Sequence, residues 1–175
     1  MSSLVETLEA SRDDFIAAAH SVPEHLSQTK PGEGRWSVLD CVEHIVITEG
    51  RFLGWLLNPI AEPAPPENRE KEAKLAERMP QRVTRVQAPE AVVPTGRFAD
   101  LAEALEEFRA ARGRTIQFAQ EKGSAGLYTL SAKHAFFGLV NGMELMAMIS
   151  AHGQRHAAQI REIREQVGQP IPPIG

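Results

Sequence analysis

Three histidines in this chain have the spacing to act together. His152 and His156 stand four residues apart, in line with Met148 before them and Ile160 after. Residues at i and i+4 share one helix face, with β-carbons roughly 5–6 Å apart, so two imidazoles can converge on one ion. His44 lies on a second apolar stripe, with Cys41, Ile45, Thr48 and Phe52. A third imidazole from a neighbouring helix completes one triangular face of a coordination sphere. Three neutral imidazoles suit zinc, nickel or ferrous iron, and leave positions free for water or substrate. The competing reading is plainer: a single imidazole on an apolar stripe is more often a hydrogen-bonded core residue than a ligand, and all three could be that. The pair is what favours an ion, because burying two imidazoles without a partner is costly.

Other reactive groups near these histidines have weaker claims. Cys41 is one turn before His44 and could be a fourth ligand or a thiolate nucleophile, although a small buried core residue is the commoner outcome. Glu43 and Glu49 are close to His44 in sequence but point to other faces of an ideal helix, which predicts solvated carboxylates. His20, His25 and His134 fall near helix ends or in loops and read as surface residues or caps. No Gly-x-Ser-x-Gly turn and no phosphate-binding glycine loop is present.

The elements that must position the three histidines are readable from their caps. Ser3 precedes Glu6 by three residues, Ser37 precedes Asp40, Asp100 precedes Glu103 and Asn141 precedes Glu144. Each pair has the form of an N-cap acceptor followed by an acidic third helical residue. Trp36 with Cys41, and Val140 with Leu145, add hydrophobic staples. Behind each cap the apolar residues repeat at i, i+3, i+4 and i+7. The spacing predicts helices over about 4–20, 38–57, 101–122 and 142–167, the second stopping at Asn58-Pro59, the third near Gly123 and the fourth at Gly168 and Pro170. About 40 residues separate the second and third helices, which is long for a structureless loop. Its charged stretch from Glu67 to Met79 reads as a short solvated helix, and the long return permits a crossover. No hairpin signal and no internal repeat is evident.

Composition bounds what such a bundle can be for. With 175 residues, 42% apolar and 24% charged, the chain reads as one globular domain over 1–175. Its net charge of −4 argues against a nucleic-acid or anionic-membrane surface. One cysteine excludes an internal disulfide framework and leaves imidazoles to hold a metal. No apolar run reaches the roughly 20 residues needed to span a bilayer. The opening residues have neither a basic nor an apolar signal region, so a cytoplasmic protein is expected.

Three stretches resemble one family. Gly34-Arg35-Trp36-Ser37-Val38-Leu39-Asp40-Cys41-Val42-Glu43-His44-Ile45 is similar to the second-helix signature of the DinB-like (YfiT-like) superfamily. Ala151-His152-Gly153-Gln154-Arg155-His156-Ala157-Ala158-Gln159-Ile160 resembles its last-helix signature, and Lys133-His134-Ala135-Phe136-Phe137-Gly138 its His-Pro-x-x-Gly loop, with Ala135 where the family has proline. The resemblance implies an all-α, up-down-down-up four-helix bundle and a divalent metal on His44, His152 and His156. Zinc or nickel comes first for that ion, with iron and manganese as alternatives. Members include thiol S-transferases, an isomerase and proposed hydrolases, and many dimerise. The expected function is therefore a metal-dependent small-molecule enzyme, a thiol S-transferase or a hydrolase, using a low-molecular-weight thiol in the first case. A non-catalytic metal- or ligand-binding bundle, sensory or structural, is the alternative. A homodimer is the expected assembly, with no nucleic-acid or membrane partner.

Overall fold

The computed structural model describes residues 3–83 and 87–168. Pro170, read above as part of the last helix stop, lies outside them. Helix α1 spans Leu4–His20, α2 Val38–Leu57, α3 Arg69–Arg78, α4 Leu101–Thr129 and α5 Gly142–Val167. The four long helices, α1, α2, α4 and α5, make the expected bundle with up-down-down-up order. α1 lies against α5 and α4, while α2 lies against the same two, so α1 and α2 take opposite corners. No helix among the described residues is long and apolar enough to cross a membrane.

Local chemistry starts each helix where the caps stand. Ser3, Ser37 and Asn141 each form a complete capping box with the acidic residue three positions on. Such a cap is typically worth about 1 kcal/mol. Asp100 accepts from Glu103 N–H, but the Glu103 carboxylate takes the Ala99 N–H instead of closing the box. At Gly123 the backbone turns to φ 62, ψ 169, a conformation open mainly to glycine. Helical structure then resumes to Thr129, beyond the stop expected at this glycine.

Two expectations are corrected in the connections. Ser131–His134 (β1) and Gly138–Asn141 (β2) pair antiparallel as a hairpin between α4 and α5, where no hairpin signal was evident. The pairing is set from both sides: Ile60 N–H donates to the Ser131 carbonyl at 3.0 Å, and Gly142 N–H to that of Leu130 at 3.1 Å. The charged α3 is present but docked against α5. Leu75 is buried, Lys71 Nζ lies 2.8 Å from Glu144 Oε2, and the Tyr128 hydroxyl donates to Glu72 at 2.9 Å.

The core has two apolar parts with a polar layer between them. Phe15, Val42, Ile45, Leu105, Phe108 and Ile160 belong to one part; Leu8, Leu53, Ile116, Leu145 and Ile149 belong to the other. All four long helices contribute buried polar residues between these levels. They are Ser11 from α1, His44, Thr48 and Glu49 from α2, Arg112 and Thr115 from α4, and Ser150 and His156 from α5. Burying that many polar groups requires internal partners. Ser11 accordingly donates to the Ser150 carbonyl at 2.7 Å and Arg112 to that of Leu8 at 2.9 Å.

Candidate metal centre

His44, His152 and His156 meet in this polar layer, each offering a ring nitrogen within 4.8 Å of the other two. His44 and His156 are buried and His152 is half-buried. Nε2 of His152 is 3.3 Å from Nε2 of His44 and 3.1 Å from Nε2 of His156. Nitrogens ~2.0–2.1 Å from one tetrahedral ion lie roughly 3.3 Å apart, so these two pairs have the spacing of ligands to a shared cation.

Hydrogen bonds on the far side of two rings decide which nitrogen is bare. Nδ1–H of His44 donates to the Val92 carbonyl oxygen at 2.7 Å. A carbonyl can only accept, so the proton sits on Nδ1 and Nε2 presents its lone pair. Thr48 Oγ1 donates to the His44 carbonyl at 2.9 Å, leaving its lone pairs toward His152 Nδ1 at 3.4 Å. With the hydroxyl proton on the helix carbonyl, His152 Nδ1–H is the donor in that contact and its Nε2 is the bare nitrogen. Nδ1 of His156 is buried with no hydrogen-bond partner among the described residues. Bare imidazole nitrogens this close repel one another unless a proton or cation lies between them. The residues therefore fit a divalent ion by donor chemistry and spacing.

Burial also keeps the rings neutral. Burial pushes His152 down to about 3, and the nearby His44 adds to the effect. His156 is held well below the usual imidazole range by burial first, then by His152 and His44. Burial lowers His44 too, against the opposing bond to Val92. Neutral imidazole is the form that binds a metal.

The surroundings are aromatic on two sides. Trp36 covers His44 and His156, with ring centroids 4.8 and 6.1 Å away. Phe52 lies 6.4 Å from His152. A narrow crevice beside His152 is walled by Ile45, Thr48, Glu49, Phe52 and Ile149. His134, expected at the surface, is half-buried against Phe52, Trp55 and Phe137 at 5.6, 6.0 and 5.0 Å, because the hairpin folds it back onto α2. His20 and His25 are exposed, as expected. Cys41 is fully buried in the apolar core, and burial drives its thiol pKa upward, away from the thiolate.

The two carboxylates beside His44 are not solvated. Glu43 is 1% exposed and accepts from the backbone of Thr95, Gly96 and Arg97. Glu49 is 3% exposed and pairs with Arg112. On an ideal helix both lie off the histidine stripe, and their partners lie more than fifty residues away in the chain. Val92 carried no signal at all, since its contribution is a backbone carbonyl. Thr48 stood on the stripe but could have been read only as core.

The fold and the histidine cluster define a DinB-type helical bundle. Residues 7–160 match the family model of the DinB superfamily, and the chain belongs to that superfamily. Among solved structures it is similar to YfiT from Bacillus subtilis, described as a probable metal-dependent hydrolase with an unusual four-helix bundle topology. The two are 16% identical, with a TM-score of 0.60, over 95% of this chain and 87% of that one. No curated protein matches this chain in sequence.

Proposed function

We propose that this chain is a divalent-metal-dependent enzyme acting on a small molecule, with His44, His152 and His156 as the ligands. Convergence of three neutral imidazoles, with the His44 tautomer set by a backbone carbonyl, is the observation that carries the reading. The description of YfiT as a probable metal-dependent hydrolase agrees with it. Zinc or nickel is the first expectation for imidazole donors, with iron or manganese as alternatives. A bound ion supplies Lewis acidity, which serves either hydrolysis or stabilisation of a small thiol as thiolate for S-transfer. Trp36 shields the cluster on one side, while Ile45, Phe52 and Ile149 give the crevice beside His152 an apolar wall. Thr48 and Val92 hold the rings in orientation.

Elemental analysis of protein purified without chelator tests the metal. A screen of loaded protein with thiols, electrophiles and hydrolysable esters then separates the reactions. Turnover needing both metal and thiol identifies a transferase, and turnover needing metal alone a hydrolase. The second reading is a non-catalytic binding bundle. It is favoured by the commitment of Glu43 and Glu49 to internal partners, which removes both carboxylates from proton transfer. Tight ligand binding without turnover would establish it. The proposal also takes the chain as a single domain that forms a cytoplasmic homodimer, with no nucleic-acid partner; light scattering tests the dimer.

A further inference from the structure

We propose that Glu43 is a positioning residue for His44, acting by fastening the segment that carries Val92 onto α2. Adjacent on α2, the two residues face different surroundings. The Glu43 carboxylate meets four donors from three consecutive residues. Oε1 accepts from Thr95 N–H at 2.7 Å and from its hydroxyl at 3.1 Å. Oε2 accepts from Gly96 N–H at 3.0 Å and Arg97 N–H at 3.1 Å. Gly96 has φ 79, a backbone state open to glycine that lets successive amides turn toward one anion. Bonds to an ionised carboxylate are roughly twice as strong as neutral ones.

Three residues before Thr95, the Val92 carbonyl accepts from His44 Nδ1–H at 2.7 Å. Neighbours on α2 thus grip two nearby points of one strap, and the strap cannot slide along the helix without breaking the carboxylate bonds. The physical consequence falls on Nε2 of His44. With Val92 in place the ring proton is held on Nδ1 and Nε2 is bare. Without that acceptor the proton can sit on either nitrogen, and the Nε2–H form has no lone pair for an ion. Glu43 therefore sets the donor state of a ring it does not touch.

The affinity arm of the test rests on the metal-site reading above; the tautomer arm does not. Glu43→Gln keeps one carbonyl oxygen but sets an amide NH2 against the backbone donors. Thr95→Ala removes only the hydroxyl contact. Nitrogen-15 NMR of the metal-free protein reads the His44 tautomer, and titration with zinc reads affinity. Wild-type protein should show a single Nδ1–H form. Glu43→Gln should show mixed tautomers and zinc affinity about 10–100-fold weaker, with Thr95→Ala between the two. Ile116→Ala, in the apolar part of the core away from this strap, serves as the comparison for simple loss of stability and should bind zinc as wild type does. A folded Glu43→Gln protein with a single Nδ1–H form on His44 and wild-type affinity overturns the proposal. So does a loss of affinity that Ile116→Ala reproduces. If wild-type protein binds no zinc, the metal reading fails, and the tautomer comparison alone decides the role of Glu43.

Discussion

Arg112 and Glu49 form a two-pronged ion pair inside the bundle, with Nε to Oε1 at 2.6 Å and the terminal nitrogen to Oε2 at 3.0 Å. Arg112 is fully buried, and its remaining arm donates to the Leu8 carbonyl, joining α4 to α1 as well as to α2. The pair backs the crevice next to His152, since Glu49 is part of its wall.

Breaking this pair should be severe. Arg112→Ala or Glu49→Ala leaves one buried charge without compensation, an effect of about 3–5 kcal/mol. Replacing both partners, as in Arg112→Met with Glu49→Leu, should recover most of the loss. Urea denaturation of the two single variants and the double variant measures this, and a double variant no better than the singles would contradict it.

Substitution of His156 by alanine should abolish stoichiometric metal, and substitution of His44 or His152 should do the same. His20→Ala and His25→Ala, at exposed positions, should leave metal content unchanged. Metal analysis after equilibration with zinc or nickel decides. Full occupancy in His156→Ala would remove the three-histidine reading.

Thr48→Val tests the weaker of the two orienting bonds. It removes the acceptor facing His152 Nδ1 at 3.4 Å while keeping the side-chain shape. Metal affinity should fall by about tenfold, with the helix intact. Calorimetric titration beside circular dichroism separates the two quantities.

Acid should destabilise the metal-free protein by a predictable route. His44, His152 and His156 are all held below the usual imidazole value, chiefly by burial. Above about pH 6.5 both folded and unfolded chains carry these rings neutral, and their contribution is flat. Below it the unfolded chain binds protons that the folded one refuses, so stability falls with pH. The slope is at most about 1.4 kcal/mol per pH unit for each ring. For His152 the fall continues until pH reaches about 3. Urea midpoints between pH 7.5 and 4 should show it, and His152→Gln should flatten the slope.

Cys41 should be inert in the native state. It is completely buried, and burial disfavours its thiolate. A disulfide reagent should label it only after unfolding, and Cys41→Ala should retain full metal content. Rapid labelling of folded protein would reopen the thiolate role.

The legible parts of this protein are those governed by short spacing along the chain. A cap joins a side-chain oxygen to an amide three residues on, so Ser3, Ser37 and Asn141 announce their helices. The i, i+4 rule likewise places His152 and His156 on one face, the apolar stripe of the second helix offers His44 as the third member, and the DinB-like signatures add the bundle order. The hairpin at 131–141 was not legible: its strands are four residues each, too short to show a period of two, and the amide of Ile60 that holds its edge comes from outside the segment.

What the sequence by itself determined, then, is the set of helices and the faces on which the three imidazoles stand, because those follow from backbone periodicity. Tertiary structure alone decided the state of those imidazoles. Val92 presents its carbonyl to His44 from 48 residues away. Glu43 and Glu49, solvated on a lone helix, are buried because Thr95–Arg97 and Arg112 arrive to satisfy them. A buried carboxylate is tolerable only with its partner present, and the partner's arrival is a property of the packed bundle.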